Sequence, residues 1–307
     1  MGQGKMVSVA LEGVRRILRW HAGLARHEVQ VDDHRWAYLD GGGGEVILFI
    51  HGYGMEKDGW DIFVRNWTKS YRLIVPDLPG FGETTKSDSS VYDLPHQVGR
   101  LDRFVNLLSI PSFHLAGISM GGAIAAYYAG EHPDKVKSLF LMAPAGVLSR
   151  TPSEAWREYQ EKGKIVLLYR NTQQFDALLD AVFYRKPFVP TPVKRYFGKK
   201  GALESPLREK ILRDLERGGI DILEDRLSEV EAPTLVVWGE NDRILHVSGA
   251  EKFQRALRDC RIITLRECGH VVFFDQPVAT RQAYQDFLKD ITTKREARRR
   301  GEGNGKG

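Results

Sequence analysis

Two cysteines, Cys260 and Cys268, are all that a chain of 307 residues offers for covalent cross-linking. The segment between them, Arg261 to Glu267, is rich in β-branched residues and reads as a strand. A strand of that length holds their α-carbons ~26 Å apart, against the ~7 Å that a disulfide allows. Two thiols are expected, in keeping with a reducing compartment. No stretch approaches the ~20 consecutive apolar residues of a membrane-spanning helix. The start, Met1 to Met6, lacks the apolar core and small-residue cleavage pattern of a secretory signal. Charge of one sign is also scarce, with 45 Lys+Arg against 40 Asp+Glu. Most of the net +5 comes from residues 294–307, which hold six basic residues against Glu296 and Glu302. The remainder is nearly neutral, so no nucleic-acid partner is expected, and 294–307 reads as a disordered basic tail. No His/Cys/Asp/Glu cluster has metal-ligand spacing and no dinucleotide fingerprint follows a strand, so neither metal nor cofactor is expected. With 42% apolar and 28% charged residues, the chain is neither disordered nor collagen-like.

What is present is an alternation of short apolar runs and amphipathic stretches, the pattern of a mostly parallel sheet flanked by helices. Strands are predicted at 28–32, 36–39, 46–50, 72–75, 113–117, 138–142, 234–238 and 262–265. Helices are predicted at 58–69, 96–108, 120–131, 250–258 and 279–288. Between Val147 and Ser228 the strands stop. Helical patterns at 153–162, 173–183 and 207–217, punctuated by Pro187, Pro190 and Pro192, read as a helical cap inserted between two late strands. The predicted organisation is an N-terminal amphipathic helix (1–25), a core (26–146 and 229–293), a cap or lid (147–228) and the basic tail (294–307). In the first segment Val7, Leu11, Val14, Ile17 and Leu18 recur at helical spacing, with Arg15, Arg16 and Arg19 on the other side. This helix either packs on the body or rests on an anionic membrane surface. The expected location is cytoplasmic, with peripheral membrane contact through this helix or the cap.

Chemistry enters at Gly117-Ile118-Ser119-Met120-Gly121, which follows a predicted strand and opens a helix of small residues, Gly122 to Ala126. This is the setting of a nucleophile elbow: glycines relieve a tight turn, and a strained serine stands clear of the sheet. A serine hydroxyl needs a base, and His270 follows the last strand in Glu267-Cys268-Gly269-His270. The histidine needs a carboxylate to fix its tautomer. Asp242 in Trp238-Gly239-Glu240-Asn241-Asp242-Arg243 supplies it, with Glu240 the close competitor. The order Ser119, Asp242, His270 is that of an α/β-hydrolase triad. Oxyanion donors are expected from the backbone N–H groups of Met120 and Tyr53, the latter in His51-Gly52-Tyr53-Gly54, with His51 itself structural. Asp77 in Asp77-Leu78-Pro79-Gly80-Phe81-Gly82 reads as a structural turn residue.

Over nearly its whole length the chain resembles the α/β-hydrolase superfamily. The segments 51–60, 76–85, Ala143-Pro144-Ala145-Gly146-Val147 and Val247-Ser248-Gly249-Ala250 are similar to the monoacylglycerol-lipase branch, which holds bacterial lipases and esterases and a membrane-bound animal monoacylglycerol lipase. The resemblance implies Ser119, Asp242 and His270 as triad and Tyr53 and Met120 as oxyanion donors. It also implies short- to medium-chain acyl esters or monoacylglycerols as substrates. Where the animal relative begins with a membrane anchor, this chain has only the Val7–Trp20 stripe. In the cap, Phe175, Leu179 and Phe183 belong to an apolar stripe, followed by Phe188, that either packs the cap or lines an acyl pocket. The expected reaction is hydrolysis of carboxylic esters through an acyl-enzyme. Carbon–carbon bond hydrolysis and perhydrolysis use the same triad, and a diketone substrate bearing carboxylates would call on cap arginines such as Arg170 and Arg185. A triad-bearing small-molecule receptor is the reading outside catalysis.

Overall fold

In the computed structural model the backbone is described for residues 3–303 and the side chains for residues 4–297. Eight strands form one sheet: β1 (Ala25–Val31), β2 (His34–Gly41), β3 (Val46–Ile50), β4 (Arg72–Pro76), β5 (Phe113–Ile118), β6 (Val136–Met142), β7 (Thr234–Gly239) and β8 (Cys260–Leu265). Their order is β1-β2-β4-β3-β5-β6-β7-β8. The β1–β2 and β2–β4 pairs are antiparallel and every later pair is parallel. The helices are α1 (Gln3–Ala22), α2 (Asp61–Val64), α3 (Leu94–Leu107), α4 (Met120–Glu131), α5 (Glu154–Lys162), α6 (Thr172–Val182), α7 (Thr191–Arg217), α8 (Ala250–Ala256), α9 (Val272–Asp275) and α10 (Pro277–Gly303).

The central strands are apolar without alternation because both faces are covered. In β3, Leu48 and Ile50 join one core with Trp36, Phe104 and Leu115, while Ile47 and Phe49 join the other with Trp60, Phe140 and Tyr284. Phe140 and Tyr284 stack at 4.2 Å between ring centroids, which ties α10 to the sheet. Between β6 and β7 come α5, α6 and α7 and no strand, as the insertion was expected to have. Ser153 and Asn171 cap α5 and α6 by accepting from Trp156 N and Gln174 N. Both cysteines are free thiols. Burial, followed by a nearby carboxylate, pushes the pKa of each up to about 12.

Four expectations are corrected. The helix expected at 58–69 is broken into short turns, because Arg65 leaves the helical region and Asn66 takes φ 73°. The helix expected from Leu207 begins at Thr191 and runs through Pro206. The basic tail expected to be disordered from 294 continues α10 to Gly303, and residues 304–307 lie outside the described residues. The fourth correction concerns the facing of α1. Arg15 and Arg19 point inward, while Val14, Ile17 and Trp20 are exposed along with Met6 and Val9. Acids of the body explain this: Arg19 Nε and Nη2 reach Asp58 at 2.5 and 2.8 Å, and Arg15 pairs with Glu56. The helix docks through its charges and leaves much of its apolar stripe outside.

Next to this cluster, Asp61 is buried and neither of its carboxylate oxygens has a hydrogen-bond partner among the described residues. Burial, then the charge of Asp58, pushes its pKa up to about 7, against the pull of Arg19, Lys57 and Arg15. The folded protein thus holds a proton that the unfolded chain releases above the ordinary value of 3.8. Stability that is intact in acid is lost as pH rises toward the folded pKa. Asp61→Asn is neutral throughout and should gain on the parent between about pH 5 and 7, by up to ~1.4 kcal/mol per pH unit. Urea midpoints of both proteins across that range check this; parallel pH profiles would refute it.

Candidate functional site

Ser119, Asp242 and His270 follow β5, β7 and β8, whose parallel pairing brings their C-terminal ends to one edge of the sheet. Three strand spacings of ~4.8 Å separate β5 from β8, so the loop after β8 must reach back across ~14 Å. It does so by folding over the end of β7, where a Cβ on Gly239 would stand 2.1 Å from Gly269 O.

Ser119 sits at φ 55°, ψ −120° between β5 and α4, a conformation that a non-glycine residue holds only when its surroundings impose it. Ser119 N donates to Met142 O at 2.9 Å, and Ser119 O accepts from Ala145 N at 3.0 Å. Two glycines are dictated by space. A Cβ at Gly117 would meet Gly121 O at 2.2 Å, and one at Gly121 would meet His51 O and Ile50 O at 2.4 Å.

His270 Nδ1 lies 2.8 Å from Asp242 Oδ2, and both residues are buried. Asp242 Oδ2 also accepts from Trp238 Nε1, while Oδ1 accepts from Ile244 N and Leu245 N at 2.8 and 3.0 Å. Four donors converge on this carboxylate, whereas Glu240, the competitor, is exposed, and among the described residues no hydrogen bond or ion pair joins it to the histidine. Among the described residues no hydrogen bond joins Ser119 Oγ to His270. That junction is the one the structure leaves open.

The loop after β3 approaches Ser119 closely, since a Cβ on Gly52 would come within 3.3 Å of Ser119 Cβ. Neither Tyr53 N nor Met120 N donates to an acceptor among the described residues, so both N–H groups are available beside the serine. His51 is structural: its Nε2 accepts from Leu78 N at 3.0 Å, its Nδ1 lies 2.8 Å from Gly52 O, and burial lowers its pKa. Asp77 accepts from Lys57 N and Glu83 N and pairs with Lys57 Nζ at 2.9 Å, so it braces the turn as expected.

The insertion is fastened to the histidine loop. Val182 O, at the end of α6, accepts from His270 N at 2.9 Å and Val271 N at 3.3 Å. Asp275 Oδ2 accepts from both Gly269 N and Tyr184 N at 2.8 Å. The sequence carried no signal for Asp275 in this role. Of the expected pocket residues, Phe175 and Leu179 close a small core with Tyr169 inside the insertion. Phe183 packs against Phe274. Phe188 is a correction: it is 91% exposed, because the proline-rich link before α7 carries it away from every core. Arg170 and Arg185 are also spoken for, by surface ion pairs with Glu209 and Glu267.

Among the described residues no group of acidic, histidine or cysteine side chains could hold a metal ion. Lipase 1 of Psychrobacter immobilis is 29% identical over 296 residues, covering 94% of this chain and 92% of that protein. Monoacylglycerol lipase ABHD6 of Homo sapiens is 29% identical, covering 90% of this chain and 87% of its own length. A solved structure titled as a membrane phospholipase A and bacterial virulence factor is 40% identical, with a TM-score of 0.89 over 93% of this chain and 92% of that one. Residues 45–277 match the alpha/beta hydrolase fold family. With that match across most of its length, the chain belongs to the alpha/beta hydrolase fold family.

Proposed function

We propose that this carboxylic ester hydrolase works through an acyl-enzyme on Ser119, with His270 as general base and Asp242 orienting it. The observation that carries the reading is the 2.8 Å His270–Asp242 contact at the sheet edge where the strained Ser119 stands. Ser119 Oγ attacks the ester carbonyl as His270 Nε2 takes its proton. The same imidazolium then protonates the leaving alcohol, and water repeats the sequence on the acyl group. The N–H groups of Tyr53 and Met120 meet the oxyanion, each contributing ~2.7–4 kcal/mol in the transition state. The missing Ser119–His270 hydrogen bond forms as substrate binds, since such contacts are often long in the free enzyme.

The substrates are short- to medium-chain acyl esters or monoacylglycerols, and the name of the human relative supports the second of these. The segment 147–228 serves as the cap over the site. A series of acyl-chain lengths on simple esters, monoacylglycerol and triacylglycerol tests this, and hydrolysis of none of them would end the reading.

The exposed face of α1 rests on a lipid surface. Val9, Ile17 and Trp20 are more than half exposed and lie on one side of a helix whose other side is tied to the body by Arg15 and Arg19. Lys5 and Arg16 flank them toward anionic headgroups. No helix among the described residues is long and apolar enough to cross a membrane. The Ile17→Glu/Trp20→Glu variant should co-sediment with anionic phospholipid vesicles about tenfold less than the parent, a loss of ~1.4 kcal/mol. Equal co-sedimentation would remove the proposed contact.

A further inference from the structure

Behind the loop that carries Tyr53 lies a cavity of ≈ 50 Å³, walled by Gly54, Met55, Phe81, Tyr169, Glu204 and Arg208. Its wall at Met55 comes near the candidate nucleophile, because a Cβ on Gly52 would stand 3.3 Å from both Met55 Sδ and Ser119 Cβ. Arg208, on α7, is only 6% exposed. Its guanidinium lies over the Tyr169 ring at 4.9 Å, and Nη2 donates to Glu204 at 2.7 Å. Its Nη1 is buried with no acceptor among the described residues. The Arg208 carbonyl accepts from the Tyr53 hydroxyl at 2.6 Å, which fastens this part of α7 to the residue that carries the Tyr53 N–H.

A buried charged donor without an acceptor is costly, so the cavity calls for an oxygen. Charge balance selects which kind. The lining holds two acids, Glu56 and Glu204, against two bases, Lys200 and Arg208, and Arg15 and Lys86 share those acids from outside it. An anionic group would upset that balance, and an alkyl group would leave Nη1 unmet. A hydroxyl satisfies both demands, because it accepts from Nη1 and gives its own hydrogen to Glu204.

We propose that Arg208 is a specificity-determining residue that binds a hydroxyl on the alcohol half of the ester. This rests on the reading of Ser119 as nucleophile. The site then favours esters of polyhydroxy alcohols over those of plain alkanols.

The test compares kcat/KM for 2,3-dihydroxypropyl butanoate and 2-methylbutyl butanoate, which carries a methyl in place of each hydroxyl. The wild type should favour the diol ester by about tenfold or more. Arg208→Met should bring the ratio close to one. Glu204→Gln, which keeps the volume, should lower it several-fold and serves if the arginine variant does not fold. A wild-type ratio near one would mean that the cavity holds water only and would overturn the proposal. So would variants that keep the parental ratio, or that slow both esters alike. A wild type that cleaves neither ester would instead overturn the ester-hydrolase mechanism on Ser119.

Discussion

Ser119→Ala is expected to lower kcat for ester hydrolysis by roughly 10⁴–10⁶-fold, with thermal midpoint and circular dichroism matching the parent. The side chain is half-buried and its hydroxyl makes no hydrogen bond among the described residues, so its removal costs little packing. The turn itself is held by backbone contacts to Met142 and Ala145, which alanine keeps. What disappears is the atom that forms the proposed acyl-enzyme. His270→Ala should cost nearly as much, and the double variant little more, because the two act as a unit. Covalent labelling by a fluorophosphonate should vanish with Ser119. If Ser119→Ala retained parental turnover, the nucleophile would lie elsewhere.

Lys57→Met should produce the largest loss of stability, ~3–5 kcal/mol, read as a fall in the urea unfolding midpoint. Lys57 is fully buried, with Nζ at 2.9 Å from Asp77 Oδ2 and 2.7 Å from Glu83 Oε1. Burial works against its charge, but Asp77, Asp58 and Glu83 outweigh that and raise its pKa. Methionine fills much the same space and leaves Asp77 buried without its countercharge. The carboxylate is tightly enclosed, since a Cβ on Gly82 would fall 2.1 Å from the Asp77 carboxyl carbon. An unchanged midpoint would show that this ion pair contributes nothing net to stability.

How far each feature could be read from sequence depends on how local its cause is. The strand Val46–Ile50 was readable in full because an unbroken apolar run has few other uses. The elbow at Ser119 was readable because its glycines are fixed by contacts within a few residues and one neighbouring loop. The facing of α1 was not. Apolar spacing alone argues for Val14 and Ile17 inward, but Glu56 and Asp58, some forty positions away, attract the arginines instead. Arg208 gave no signal, since one arginine among the many charges of α7 looks solvated until Tyr169 and Tyr53 close around it. Position in the loop alone favours Asp242 over Glu240, and in the structure Asp242 is the acid that meets the imidazole.

The backbone that presents the imidazole is stitched to the exit of α6 through Val182, Tyr184 and Asp275. Swinging α6 outward would therefore drag residue 270 off its carboxylate partner. On the proposed reading of 147–228 as a cap, α6 is its fixed doorpost, and any swinging panel is hung on another flank.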